Sequence, residues 1–281
     1  MTDARFGWLV SYPKSGNTWL RMMLSSLFSG GAGVDINHLS DDFGVTTYAA
    51  MDEFLGIEAS ELTPAEIAAA QPGLHATILA YANAPIVWRK VHDRYWHTPG
   101  GQPVFPATLT RLAVYLVRDP RDVAVSFAHH RGSSVDQNIA LMADPTTTLA
   151  SDPERQKMQL PQPIGSWSQH VASWVDQGDQ PVLTLRYEDL RCDPLAGLRA
   201  VIEHAGLHFE DARLRMAVDA TRFDVLRAQE QAMGFRERRS ASTAPFFRRG
   251  IAGGWVDDLS PEQQARISAD HGNMMQRFGY L

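Results

Sequence analysis

The chain has 281 residues, 44% hydrophobic and 21% charged, with a formal net charge of −6; it is long enough for one large α/β domain or two small ones. The acidic balance argues against nucleic acid as a partner, so any anion site must be a local basic pocket on an acidic body. A lone cysteine, Cys192, rules out an internal disulfide, no apolar run approaches the ~20 residues of a membrane span, and no basic start followed by an apolar core marks a secretory signal, so a cytoplasmic protein with no membrane partner is expected.

The first element is a short apolar run at 6–10 that reads as a strand. Residues 11–19, Ser-Tyr-Pro-Lys-Ser-Gly-Asn-Thr-Trp, follow it, and then Leu20, Met23, Leu24, Leu27 and Phe28 are spaced to share one face of a helix over 18–28. A strand, a tight turn with lysine and glycine, and a helix start form a P-loop-like phosphate cradle, because free N–H groups and the positive end of the helix dipole face an anion there. The loop departs from Gly-x-x-x-x-Gly-Lys-Ser/Thr: Lys14 precedes Gly16, and Trp19 follows Thr18.

Further strands are expected at 86–88, 112–117 and 182–185. Helices are expected at 64–71, 120–130, 166–178, 194–205, 210–219, 222–232 and 261–277. Alternation of strand and helix implies an α/β fold, a central and mostly parallel sheet flanked by helices. With no linker composition in view, one domain over 1–281 is expected. Segments 133–163 and 234–254 fit neither element and read as lids, binding loops or plain surface loops.

Polar residues recur where strands end: Lys14 after the first, His92 after the second, Arg118 after the third and Tyr187 after the fourth. Ligands of open parallel sheets bind at that carboxyl edge. Asp119-Pro120 opens a helix as N-cap and first helical residue. Arg118 sits just before it, and Ser126 about two turns in. Near the C-terminus Phe246-Phe247-Arg248-Arg249-Gly250-Ile251-Ala252-Gly253-Gly254-Trp255 sets two arginine forks, suited to phosphate oxygens, among glycines that permit close backbone approach.

Together these segments resemble the cytosolic-type sulfotransferase family, which uses 3′-phosphoadenosine 5′-phosphosulfate (PAPS) and releases 3′-phosphoadenosine 5′-phosphate (PAP). The loop at 11–19 is similar to the family's 5′-phosphosulfate loop. Val117-Arg118-Asp119-Pro120 through Ser126 is similar to its 3′-phosphate motif, and Arg248-Arg249-Gly250 with Ala252-Gly253-Gly254-Trp255 to its C-terminal phosphate loop. Gly165-Ser166-Trp167 through His170 and Tyr187-Glu188-Asp189-Leu190 fall in similar order between them.

The resemblance implies that Lys14, Ser15, Gly16, Asn17 and Thr18 hold the 5′-phosphosulfate and that Arg118, Ser126, Arg248, Arg249 and Gly250 hold the 3′-phosphate. It implies that Trp19 stacks on adenine, which Tyr187, Thr221 and Phe223 frame; a core tryptophan at the helix start is the other reading of Trp19. His92 matches the catalytic histidine, with Lys14 and Lys90 as catalytic cations and Ser126 beside them. Such chemistry uses lysine and arginine for positive charge and implies no metal; no His or carboxylate cluster shows metal-ligand spacing. The expected acceptor is a small hydroxyl-bearing organic molecule, phenolic or alcoholic, with an amine or a glycan as the alternatives.

Asn17 replaces the more usual threonine, and Gly254 stands where aspartate is frequent, which implies a looser loop there. The segment after Trp255 does not reproduce the family's dimerisation motif, and the oligomeric state stays open. The alternatives are a P-loop kinase, with Asp119 as its magnesium aspartate, and a PAP-binding module without turnover. Trp88, Tyr95 and Trp96 either line an apolar acceptor pocket or belong to the core. Phe43, Tyr48 and the 133–163 segment are candidates for a cap.

Overall fold

Side chains alternate across the first strand, and that alternation organises two cores. Phe6, Trp8 and Val10 point into one hydrophobic cluster and Leu9 into another. The computed structural model describes residues 3–39, 46–152, 156–239, 242 and 244–281. In chain order its elements are β1 (Arg5–Ser11), α1 (Asn17–Phe28), α2 (Tyr48–Leu55), α3 (Pro64–Ala80), β2 (Ile86–Val91), β3 (Thr110–Val117), α4 (Pro120–Arg131), α5 (Val135–Ala143), β4 (Thr148–Leu149), β5 (Gln162–Pro163), α6 (Trp167–Val175), β6 (Val182–Arg186), α7 (Tyr187–Cys192), α8 (Pro194–His204), α9 (Asp211–Ala220), α10 (Phe223–Met233) and α11 (Pro261–Arg277).

The sheet order is β2-β1-β3-β6 and every pairing in it is parallel. From β1 the chain moves to one side for β2 and then crosses to the other for β3. The crevice at the carboxyl ends of β1 and β3 is therefore a topological switch point. On β3 the same alternation holds: Ala113, Tyr115 and Val117 join the core of β1's Phe6 and Trp8, while Leu112, Val114 and Leu116 join that of Leu9. Helices α1, α8 and α9 cover the second face, and α3, α4, α6 and α11 contribute to the first.

The four expected strands and eight helices are present; α3 and β2 run well past their expected ends, and α6 stops at Val175, short of 178. The helix expected at 64–71 continues through Pro72 to Ala80, because Leu74, His75, Ile78 and Leu79 bury the following turns. Burial outweighs the hydrogen bond that proline removes. β2 runs on to Val91, carrying Arg89 and Lys90 along the sheet.

The expectation of an irregular 133–163 segment needs correction. Ser134 and Gln137 form a capping box, and α5 follows, burying Asn138, Ile139 and Met142. A helix of 9 residues with a polar residue on its buried face gives little periodicity to detect. α2 was also unforeseen; Thr47 caps it, Gly56 ends it in the left-handed region, and it buries only Met51.

Leu116 of β3 is 1% exposed and belongs to the cluster that α1 and α8 cover. Replacing it by alanine is expected to cost about 2–5 kcal/mol, read as a lower denaturant midpoint with an unchanged slope. A shift of a few tenths of a kcal/mol would contradict the buried placement.

Candidate active site

The loop after β1 is held by its own turn and by the strand below it. Ser15 N–H donates to the Tyr12 carbonyl at 3.3 Å, and the Asn17 amide donates to the Leu9 carbonyl at 2.8 Å. Lys14 has φ 70°, rare for a residue with a side chain, and Gly16 has φ 104°. A Cβ on Gly16 would also stand 2.6 Å from the Tyr187 ring, so both conformation and space demand glycine. α1 begins at Asn17, and Gly16, Asn17 and Thr18 line a cavity of about 890 Å³.

That cavity gathers nearly every residue singled out from the sequence. Lys14, Trp19, Lys90, His92, Arg118, Ser126, Tyr187, Phe223, Arg248, Arg249 and Gly250 all line it. Two expected residues do not. Ser15 is fully buried with an unpartnered hydroxyl, and Thr221 turns its hydroxyl back to the Ala217 carbonyl at 2.7 Å. The Thr221 carbonyl instead accepts the Trp19 indole N–H at 2.9 Å, so Thr221 acts on the site through Trp19. Trp19 meets the Tyr187 ring nearly edge-on at 6.4 Å.

Arg118 joins three segments. Its guanidinium donates to the Lys14 carbonyl at 3.2 Å and to the Ile251 carbonyl at 3.0 Å, and it lies 4.3 Å over the Tyr187 ring. Asp122 is 3.5 Å from it and accepts the N–H groups of Gly253 and Trp255 at 2.8 and 3.0 Å. Asp122 therefore ties down the loop around Gly254, offsetting the expected looseness there. Arg249 reaches both Asp257 and Asp258 at 2.8 Å, and Arg248 reaches Asp258 at 3.3 Å. A Cβ on Gly250 would collide with the Phe223 ring.

His92 follows β2, and main-chain carbonyls fix its state. A carbonyl only accepts, so the contact between His92 Nδ1 and the Ser11 carbonyl at 2.8 Å puts the proton on Nδ1 and leaves the Nε2 lone pair free. Burial, then the neighbouring Lys90, holds this imidazole's pKa well below the usual value. His170 Nε2–H donates to the His92 carbonyl at 2.9 Å, and Tyr115 O–H donates to His170 Nδ1 at 2.8 Å. Nothing in the spacing of His170 signals this role, because its position on α6 hides the contact with a strand end.

Burial lowers Lys14 to about 7, with Glu237 opposing and Lys90 and Arg118 adding to the shift. Lys90 falls to about 8, again by burial. Glu237 is the second residue that sequence reasoning missed. It pairs with Arg21, accepts from the Thr18 hydroxyl at 2.9 Å and lies 3.9 Å from Lys90. Burial would raise its pKa, but Lys90 and Arg21 outweigh that and hold it well below the carboxylate range. A lone Glu among arginines in a loop carried no sequence signal.

Trp88, Tyr95 and Trp96 resolve as core. Trp88 packs in the second cluster and Tyr95 against Trp174, Trp96 packs against the first, and none lines the cavity. Tyr48 likewise packs on the first core, and Phe43 lies outside the described residues. Phe127, His130, Leu149, Met158, Phe246 and Phe247 supply apolar and aromatic walls instead. Asp119 caps α4 at the Arg121 N–H and pairs with the Arg121 side chain at 2.7 Å.

A family model described as "Sulfotransferase domain" matches residues 7–279. The chain belongs to the sulfotransferase domain family. The donor expected from the sequence, PAPS, comes with that membership. Among characterised relatives it is 27% identical to sulfotransferase 1A1 of dog (Canis lupus familiaris), over 96% of this chain and 83% of that one. It is 23% identical to cytosolic sulfotransferase 16 of Arabidopsis thaliana, over 92% and 72%. A mouse sulfotransferase SULT7A1 complexed with PAP shares its fold, with a TM-score of 0.60, 19% identity and coverage of 98% and 86%. So does a retinol dehydratase solved with androsterone and PAP, with a TM-score of 0.61, 17% identity and coverage of 98% and 81%. Among the described residues no cluster of His, Cys, Asp or Glu could hold a metal, and no helix is long and apolar enough to cross a membrane.

Proposed function

We propose that the protein transfers the sulfuryl group of PAPS in line to a hydroxyl of a small organic acceptor, with His92 as general base. The observation that carries this is the His92 tautomer: Nδ1–H is committed to Ser11, and the side chain lines the cavity with Nε2 unprotonated. A hydroxyl is a poor nucleophile, and removal of its proton as the bond forms is the task a neutral imidazole performs.

The site suits a polyanionic donor. The Arg118 Nε–H is buried without a partner beside the loop at 11–19, an unpaired donor that an anionic ligand would satisfy. Lys14, Gly16, Asn17 and Thr18 would hold the 5′-phosphosulfate, with Ser15 closing the turn. Arg118, Ser126, Arg248, Arg249 and Gly250 would hold the 3′-phosphate, in exchange for the contacts of the two C-terminal arginines with Asp257 and Asp258. Trp19, Tyr187 and Phe223 would hold adenine. PAPS supplies the sulfuryl group and its activated leaving phosphate. Lys14 and Lys90 place positive charge where negative charge collects on the bridging and equatorial oxygens.

The kinase alternative loses support because Asp119, its magnesium candidate, is already engaged by Arg121. The binding-module alternative has no use for a histidine held in one tautomer.

His92→Ala should lower kcat by about 10²–10⁴-fold while PAP affinity, measured by calorimetry, stays within about threefold; unchanged turnover would remove His92 from the mechanism. Arg118→Ala should weaken PAP strongly and adenosine 5′-phosphosulfate, which lacks the 3′-phosphate, far less. Equal losses would mean the 3′-phosphate contact is misplaced.

The pH dependence has a definite sign. Because the His92 pKa is depressed, the base is available throughout neutral pH. Lys14 and Lys90, at about 7 and about 8, lose charge as pH rises through that window. kcat/KM for PAPS, which reports the free enzyme, should therefore fall on the alkaline side between about pH 7 and 9. A profile flat through pH 9 would exclude the two lysines as its determinants.

A further inference from the structure

The cavity continues past the residues that hold the donor. From Lys14 Nζ, 3.6 Å from the Phe246 ring centre, contacts run to His130 at 6.0 Å, on to Phe127 at 6.5 Å, and to the Arg131 guanidinium, 5.5 Å from the Phe127 ring. Tyr12 packs edge-on against Phe127 and against His170, which holds the His92 carbonyl. Arg131 thus stands at the far end of an aromatic wall that begins beside Lys14.

Arg239 faces the same space. It lines the cavity with Arg131, whose charge is disfavoured first by burial and then by Arg239. Neither arginine has a carboxylate partner among the described residues. The cavity's own carboxylates are committed elsewhere. Asp122 is taken by Arg118 and the Gly253 loop, Glu237 by Arg21 and Thr18, and Asp152 by Lys157. Asp144, the next carboxylate near Tyr12, accepts from the Thr146 N–H and hydroxyl. In all, ten lysines and arginines line the cavity against three carboxylates, on a protein whose net charge is −6. Two like charges on one cavity wall without a carboxylate partner among the described residues repel each other, and a bound anion reduces that repulsion.

We propose that Arg131 and Arg239 form an anion subsite of the acceptor pocket. The acceptor would carry its hydroxyl at His92, an apolar body along Phe127 and Phe246, and an anionic group such as a carboxylate at the two arginines. This rests on the sulfotransferase reading of the site and adds the charge of the substrate.

A matched series tests it: 4-hydroxyphenylacetate, neutral 4-cresol and cationic tyramine, titrated into PAP-loaded protein and assayed for transfer from PAPS. The acid should bind and turn over best, by about tenfold over cresol, as a charge-assisted pair predicts, with tyramine last. In the Arg131→Gln/Arg239→Gln double variant the advantage of acid over cresol should fall below about threefold. An acid no better than cresol, an acid that fails to bind the PAP complex at millimolar concentration, or an advantage that survives the double variant would overturn the subsite. Failure of the wild-type protein to bind PAP at all would instead remove the donor site, and this subsite with it.

Discussion

Uncompensated positive charge, held out of water at one sheet edge, is the constraint on which the site depends. Lys14, Lys90, Arg21 and Arg118 converge there, and taking such groups out of water is costly unless they are paired. Glu237 answers Arg21 and stands near Lys90, and Asp122 answers Arg118. Among the described residues no carboxylate pairs with Lys14, whose ammonium rests on the Phe246 ring and whose pKa falls to about 7. The folded protein is thus left short of negative charge at the place where a phosphosulfate would bring it. The glycines and the left-handed backbone of Lys14 let the main chain approach the same place.

The sheet order converts that charge into chemistry. Because β1 lies between β2 and β3, the residues that follow these strands face one crevice. The last residue of β1, Ser11, offers its carbonyl to His92 at the end of β2, and the Lys14 carbonyl accepts from Arg118 at the end of β3. The main chain of one strand-and-loop unit thereby orients both the imidazole proposed as base and the arginine proposed to meet the donor. His170 and Tyr115 extend the same order one layer deeper, so the imidazole is oriented without a carboxylate that would raise its pKa.

Glu237 and Asp122 act alike on the C-terminal segment. Each joins a residue of that segment to the sheet edge, Glu237 through Thr18 and Arg21, and Asp122 through the N–H groups of Gly253 and Trp255. The wall opposite the sheet is therefore held by charged contacts with the residues that would receive the donor.

The amino-acid sequence by itself determined the parallel sheet, the tight strand–loop–helix turn at 11–19 and the strand-end residues Lys14, His92, Arg118 and Tyr187. Apolar period, cap chemistry and the lysine–glycine turn are local, and local signals are legible in one dimension. Tertiary structure alone decided that Trp88, Tyr95 and Trp96 are core, that Thr221 serves Trp19 rather than the cavity, and that α5 lies within 133–163. It also supplied Glu237 as counter-charge, His170 as support for His92, and Arg131 and Arg239 on one cavity. Each of these depends on which face of an element meets a residue far along the chain, and sequence spacing does not encode that meeting.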